Sequence, residues 1–419
     1  MRWLLFCLGG CIALPGYAAN EELRTLLTQA LEHPGVVAAA QREDAAREGL
    51  SAARGQWFGA GGLRASVSRY EDQRFLGVLS PAALANPPFA EEMTAYTAFY
   101  RLPIDLNGAV RAARDAARSD LRQSELAARQ AQLLKLHDAV AAYVGLAALR
   151  VQQQSLETQR LRVEQTVRRV REQVDAEQAS RAELLLAQAE LARLQSDEVR
   201  LAGGVQEALV ALEEATGSPN MPNVDGITVP DWPTPPDDFL PAQLAGASAS
   251  ASAARAREAK RRLWPSLSAQ ADYTQFQGNG YDPDAWSVGA MIEVPISASV
   301  WSGASAAEAQ AAAARNDQRA AERGAWRRWA SLAASYRTAQ ADVEALGAEI
   351  AARREVVDVQ AELQRVGMSS LEDLLRQQRD LLDAQSRHAG ARAQAVAAWS
   401  AAQALMGTDP ADYVTEISR

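Results

Sequence analysis

Cysteine is almost absent from this chain of 419 residues: it occurs twice, at Cys7 and Cys11, both close to the N-terminus. If that segment is removed, no thiol remains, so disulfides, thiolate metal sites and cysteine nucleophiles drop out and packing alone must hold the fold. Lysine is equally scarce, at Lys135 and Lys260, and arginine carries nearly all the positive charge. With 43 basic against 52 acidic residues the net charge is −9, and no global positive field would attract nucleic acid. Neither lysine follows a glycine, so a phosphate-cradling nucleotide loop is missing.

Histidine is limited to His33, His137 and His388, isolated from one another and from any metal-ligand spacing. Methionines are scattered and suggest no soft-metal relay. The acidic pairs Asp237-Asp238 and Glu213-Glu214 read as solvated linker and helix end, not as general acid and base. No cofactor, no metal and no enzymatic activity are therefore expected. Beyond the N-terminal segment, no run approaches the ~18 apolar residues of a membrane-spanning helix.

What is present is a chain that is 48% hydrophobic with only 6% aromatics, its apolar share dominated by alanine. That balance excludes a disordered chain and suits long, closely packed helices. Met1-Arg2, the apolar run Trp3 to Leu14 and the small residues ending at Ala18 form an expected signal peptide, residues 1–18, cleaved after Ala18. Leu8-Gly9-Gly10-Cys11 offers the alternative of a lipid anchor on Cys11.

The rest reads as one unit written twice. The first copy, 19–217, has a short helix to about Trp57, strands expected at 63–70 and 93–102, and long helices at 108–174 and 180–216. A proline-rich linker, 218–241, follows. The second copy, 242–410, has a short helix to Leu263, strands at 267–276 and 286–294, and long helices at 303–366 and 370–406, with a tail at 411–419. Trp57 answers to Trp264, Leu102-Pro103-Ile104 to Val294-Pro295-Ile296, and Ser180 with Glu183 to Ser370 with Asp373, a duplication of about 190 residues.

Leu332, Tyr336, Ala339, Val343, Leu346 and Ile350 keep the spacing of a coiled-coil seam. A helix from Gly108 to Val174 would be on the order of 100 Å long. In Trp286, Val288, Ala290, Ile292 and Val294 every second residue is apolar, and Leu267 to Tyr273 and Leu63 to Val67 alternate likewise. Such strands fit a membrane barrel, apolar to lipid and polar to lumen. Four strands cannot close a barrel, so the chain must oligomerise, and three copies would supply about twelve.

The duplicated helix, hairpin and helix pair, the strand exits Leu102-Pro103-Ile104-Asp105-Leu106-Asn107-Gly108 and Val294-Pro295-Ile296, and the helix starts Ser180 to Gln188 and Gly367 to Leu375 carry a resemblance. The chain resembles the outer-membrane efflux protein family, the TolC-type channels, over about residues 20 to 410. The resemblance implies a mainly helical fold with membrane β structure: a homotrimer with a 12-stranded barrel in outer-membrane lipid on a periplasmic α-helical coiled-coil tunnel. It also implies docking to a periplasmic adaptor, the membrane fusion protein, of an inner-membrane pump, in an efflux or type I secretion system.

It further implies a periplasmic gate ringed by acidic residues, with Asp373 at the first such position and Arg376 where a second aspartate is usual. Glu183 is the counterpart in the first repeat, and Arg168, Arg169, Arg171, Arg365 and Gly367 are candidates for tip or adaptor contacts. Glu177 stands where the second repeat has Gly367, so its turn is expected to be built differently. By alternation, Arg101 and Glu293 are expected to face the lumen. The alternative class is a structural coiled-coil envelope protein or a periplasmic adaptor subunit.

Overall fold

The computed structural model describes residues 15–77, 81–85, 87–218, 228–280 and 282–418. The leader run Met1 to Leu14, with Cys7 and Cys11, lies outside the described residues, while Ala18 falls in the first helix. In chain order the elements are α1 (Pro15–Leu31), α2 (Pro34–Gly55), β1 (Ala60–Phe75), α3 (Pro81–Ala85), β2 (Phe89–Ile104), α4 (Ala109–Asp175) and α5 (Arg181–Thr216). There follow α6 (Leu240–Arg261), β3 (Ser266–Gln277), β4 (Asp284–Glu293), α7 (Ala298–Arg365), α8 (Leu371–Met406) and α9 (Pro410–Ile417).

Several boundaries differ from the sequence reading. β1 and β2 each reach 16 residues, so the stretch 71–92, expected as loop, holds the end of β1, α3 and the start of β2. α7 begins at Ala298 rather than near Gly303. The expected tail is mostly α9, because Asp409 caps it, Pro410 starts it, and Tyr413, Val414 and Ile417 bury one face. The chain divides into two compact units, one of Ala40–Ala127 with Ala242–Ala321, the other of Met1–Ala39, Ala128–Pro241 and Glu322–Arg419.

The first unit holds a four-stranded antiparallel sheet in the order β1-β2-β3-β4. Opposed residues share a face of a sheet. The register Leu63–Ala98, Ala98–Tyr273 and Tyr273–Trp286 therefore collects Leu63, Val67, Tyr100, Leu102, Leu267, Val288 and Ile292 on one face. That face lies open, with Leu63 89%, Trp286 76% and Val288 73% exposed, an apolar surface too continuous to be left to water. On the other face Thr97 and Thr274 share a hydrogen bond of 3.0 Å, Ser287 donates to Asp272 at 3.4 Å, and Arg64 sits 5.5 Å from the Phe99 ring centre. β1 and β4 are the two edges of the sheet.

The second unit is a helical bundle whose seam follows the heptads. Leu156, Val163, Val167 and Val170 of α4 pack with Ala187 and Leu194 of α5 and with Leu371 and Leu375 of α8. Each such buried Leu or Val stabilises by about 1.5–3 kcal/mol. Ile350 and Val357 of α7 meet Leu381 and Ala384 of α8. The end of the linker is pinned rather than free: Trp232 stacks 5.0 Å from both Trp329 and Tyr336, Phe239 is buried, and the Tyr336 hydroxyl donates to the Pro230 carbonyl at 2.6 Å. Residues 219–227 of that linker lie outside the described residues.

Among the described residues no helix is long and apolar enough to cross a membrane, and no group of three or more His, Cys, Asp or Glu side chains could hold a metal ion.

Candidate functional site

The starts of α5 and α8 are built alike. Ser180 and Ser370 adopt extended backbone, and their hydroxyls accept from the backbone N–H of Glu183 at 3.2 Å and of Asp373 at 3.1 Å. In α5 the Glu183 carboxylate also accepts from the Ser180 N–H at 3.0 Å, completing a capping box. In α8 the Asp373 carboxylate instead accepts from the Ser370 hydroxyl at 2.6 Å and pairs with Arg376 one turn along the same helix. Asp373 and Arg376 are thus brought together within one chain, while Glu183 serves its own cap.

The turns before these helices correct one expectation. Glu177 and Gly367 both stand in the left-handed region, at φ 60 and 77. In each turn the next residue donates back to the carbonyl five residues earlier, Gln178 to the Gln173 carbonyl at 2.7 Å and Met368 to the Leu363 carbonyl at 2.9 Å. The same hydrogen-bond closure builds both turns, and Glu177 bears the left-handed strain that Gly367 avoids. Of the candidate tip residues, Arg169 donates to Gln364 at 2.7 Å and Arg365 pairs with Glu362 at 2.5 Å on its own helix. Arg168 and Arg171 are exposed.

Arg101 and Glu293 stand on the polar face of the sheet, on the same side as Gln270, Asp272 and Gly289, but the register does not place them opposite each other. Arg101 faces Ala60 and Gln270, whereas Glu293 faces Ser266.

A cluster that the sequence reading missed lies in the bundle. The Glu190 carboxylate, 5% exposed, accepts from Arg193 of its own helix at 2.7 and 3.1 Å and from Arg379 of α8 at 2.7 Å. Burial alone would push the Glu190 carboxyl up, but the hydrogen bonds and charges of both arginines hold it below the usual carboxylate value. An open groove of about 640 Å³ beside it is lined by Arg193, Arg200, Arg379, Asp197, Asp380 and Asp383, a balanced set of charges. Next to it Gln159 donates to Gln378 at 2.8 Å, joining α4 to α8 through buried amides. The helical run Glu190, Arg193, Asp197 was visible in the sequence; its long-range partner Arg379 was not.

A one-sided sheet with two bare edges, joined in sequence to paired long helices, defines a membrane-channel protein in the class of β-barrel ducts. The chain belongs to the outer membrane efflux protein family, whose sequence profile matches residues 26–218 and 242–408, the two copies of the repeat. It has the TolC-type fold and is an outer-membrane efflux protein.

It is similar to the outer membrane protein VceC from Vibrio cholerae at 19% identity and TM-score 0.76, covering 93% of this chain and 98% of that one. It is also similar to the Campylobacter jejuni CmeC outer membrane channel at 16% and 0.79, covering 95% of this chain and 89% of that one. Neisseria gonorrhoeae MtrE, solved in an open state, matches at 16% and 0.79, covering 94% and 93%. Identities this low carry the fold alone. No curated protein sequence matches the chain.

Proposed function

We propose that three copies of this chain close a 12-stranded barrel in the outer membrane, with the paired helices continuing into the periplasm as a tunnel. The observation that carries this reading is the sheet, whose one open apolar face and two unpaired edges suit lipid on one side and a neighbouring copy on each edge. The polar face with Arg101 and Glu293 then lines the pore, and the hairpin ends at 76–88 and 278–283 face outside the cell. Residues 1–18 act as a cleaved signal peptide that delivers the chain to the periplasm.

Asp373 and Arg376 form the periplasmic gate with Glu183 at the matching helix start. Arg168, Arg169, Arg171, Arg365 and Gly367 meet a periplasmic adaptor of an inner-membrane pump, in efflux or in type I secretion. The duct itself is passive, and energy enters through the pump. The test is the mass of the detergent-solubilised particle together with conductance in planar bilayers. Trimers that conduct support the reading, and a stable folded monomer overturns it.

A further inference from the structure

Each repeat reaches the sheet through the same short sequence pattern. α2 ends within Arg54-Gly55-Gln56-Trp57, at Gly55, and α6 within Arg261-Arg262-Leu263-Trp264, at Arg261, with a strand starting two or three residues after each tryptophan. The register sets these helix ends at one end of the sheet, since Ala60 pairs with Arg101 and Ile104 with Leu267. The connection is close: the Asn107 amide donates to the carbonyls of Arg261 at 3.1 Å and Pro265 at 3.3 Å. Arg111 lies 5.8 Å from the Trp57 ring centre.

Around this junction large apolar side chains are open to solvent, with Phe58 75%, Leu106 72%, Trp264 62% and Ile296 90% exposed. Basic residues accompany them. Arg257, Arg261 and Trp264 follow one another at four- and three-residue steps along one exposed stripe. Lys260 is neutralised by Glu308, and Arg262 by Glu258 at 2.6 Å. Arg54, Arg257 and Arg261 have no ion-pair partner among the described residues. Aromatic rings favour the level of lipid headgroups, and arginine forks fit phosphate oxygens, so the two together suit a phosphodiester at a membrane surface.

We infer that the Arg-x-x-Trp ends of α2 and α6 hold the headgroups of anionic phospholipids at the inner face of the outer membrane, one site in each repeat. The arginine takes the phosphate, the tryptophan seats the glycerol region, and the exposed apolar side chains of the strand exits take the acyl chains. The inference rests on the barrel reading above, because it needs this end of the sheet to lie at a bilayer surface. The competing role for Arg54 and Arg261 is to complement the negative C-terminal ends of their helices, which requires no lipid.

The experiment compares retention of phosphatidylglycerol and phosphatidylcholine by the full-length channel in mixed micelles, read by native mass spectrometry. The wild type should prefer phosphatidylglycerol, and Arg54→Gln with Arg261→Gln should weaken that preference by about fivefold per arginine. The same substitutions to lysine should keep most of it. Raising the wild type to about 1 M salt should abolish the preference without any substitution. Inorganic phosphate in excess should not displace the lipid.

An equal hold on both lipids in the wild type overturns the inference in favour of the helix-end role. A preference unchanged in the glutamine variant or in high salt overturns it as well, and displacement by inorganic phosphate reassigns the site to free phosphate. Conductance measured on the same preparation separates the readings, since a channel that conducts without lipid preference sinks this inference alone.

Discussion

Arg379 of α8 donates to the Glu190 carboxylate of α5 at 2.7 Å, and so ties the second helix of one repeat to the second helix of the other. Ten residues past the serine cap in each helix stands an acid, Glu190 in the first and Asp380 in the second, and each takes an arginine from another helix. For Asp380 that arginine is Arg353 of α7, at 3.1 Å. The duplication has thus kept an acid at the same height while changing which helix answers it.

Removing the buried acid should destabilise the bundle. Glu190→Gln is expected to cost about 1.5–3 kcal/mol, the range for hydrogen bonds to a charged group. Arg379→Ala should cost less, about 1 kcal/mol, because its half-exposed guanidinium is screened and Arg193 still covers the carboxylate. Since the native carboxyl is held below its ordinary value of 4.5, its contribution is complete above that pH and is lost as pH falls toward the native value. Thermal melts across pH 3 to 6, about the range where carboxylates titrate, should show this loss in the wild type and not in Glu190→Gln.

The docking of α9 should weaken in mild acid. His137 Nδ1 lies 2.8 Å from the Ser400 hydroxyl, which lies 2.5 Å from the Tyr413 hydroxyl. With the imidazole neutral, donation can run from Tyr413 to Ser400 to His137. Burial, partly offset by the Asp138 carboxylate, lowers the imidazole value, and burial likewise pushes the Tyr413 hydroxyl up. A lowered native value means the unfolded chain binds the proton more readily, so stability falls as pH drops below the ordinary 6.5 and continues to fall until it passes the native value. Hydrogen exchange in residues 410–417 should quicken over that interval, and His137→Gln should flatten the response.

Asp373 can be separated into cap and gate. Ser370→Ala removes the hydroxyl that caps α8 and should cost about 1 kcal/mol of stability with conductance unchanged. Asp373→Ala is expected to change single-channel conductance and weaken block by multivalent cations, with Arg376→Ala shifting cation selectivity in the opposite sense. A variant Asp373→Ala that melts earlier while conducting like the wild type would assign the residue to the helix end and send the search for the constriction elsewhere.

The two faces of the sheet should differ in what they tolerate. Val288→Arg puts a charge on the open apolar face and should cost about 2–4 kcal/mol in lipid, reducing the yield of assembled particle. Arg101→Leu and Glu293→Leu lie on the polar face and should leave assembly intact. Heat-modifiable migration on gels reads both, and equal losses from the two faces would contradict the assignment.

The sheet faces could be read from the chain because Trp286, Val288, Ala290 and Ile292 recur at every second position, with Ser287 and Gly289 between the first three, the period of a two-sided strand. The strand ends could not. Glu71-Asp72-Gln73-Arg74 is polar at every position, so alternation stops while the backbone ladder, after a register shift between Arg69 and Arg74, continues to Phe75. The helix starts at Ser180 and Ser370 were legible because capping is local. The partner of Glu190 was hidden because Arg379 lies 189 residues away, and which of several arginines turns inward depends on packing. Glu177 misled because residue type suggested another turn, whereas the hydrogen bonds closing the helix imposed the glycine-like conformation.

The unequal edges of the sheet bear on the seam between copies in the trimer proposed above. β1 has 16 residues and β4 only 10, so a seam between neighbouring copies can be no longer than the shorter strand. On the long side about 20 Å of strand is left without a cross-copy partner at a rise of ~3.4 Å per residue. That overhang, with Phe75 packed edge-on against Phe89 at 5.7 Å, belongs wholly to the first hairpin. In the trimer proposed above, that overhang would stand as a crown of three first-repeat hairpins beyond the shared seam, where a substitution changes the exposed surface without touching the channel.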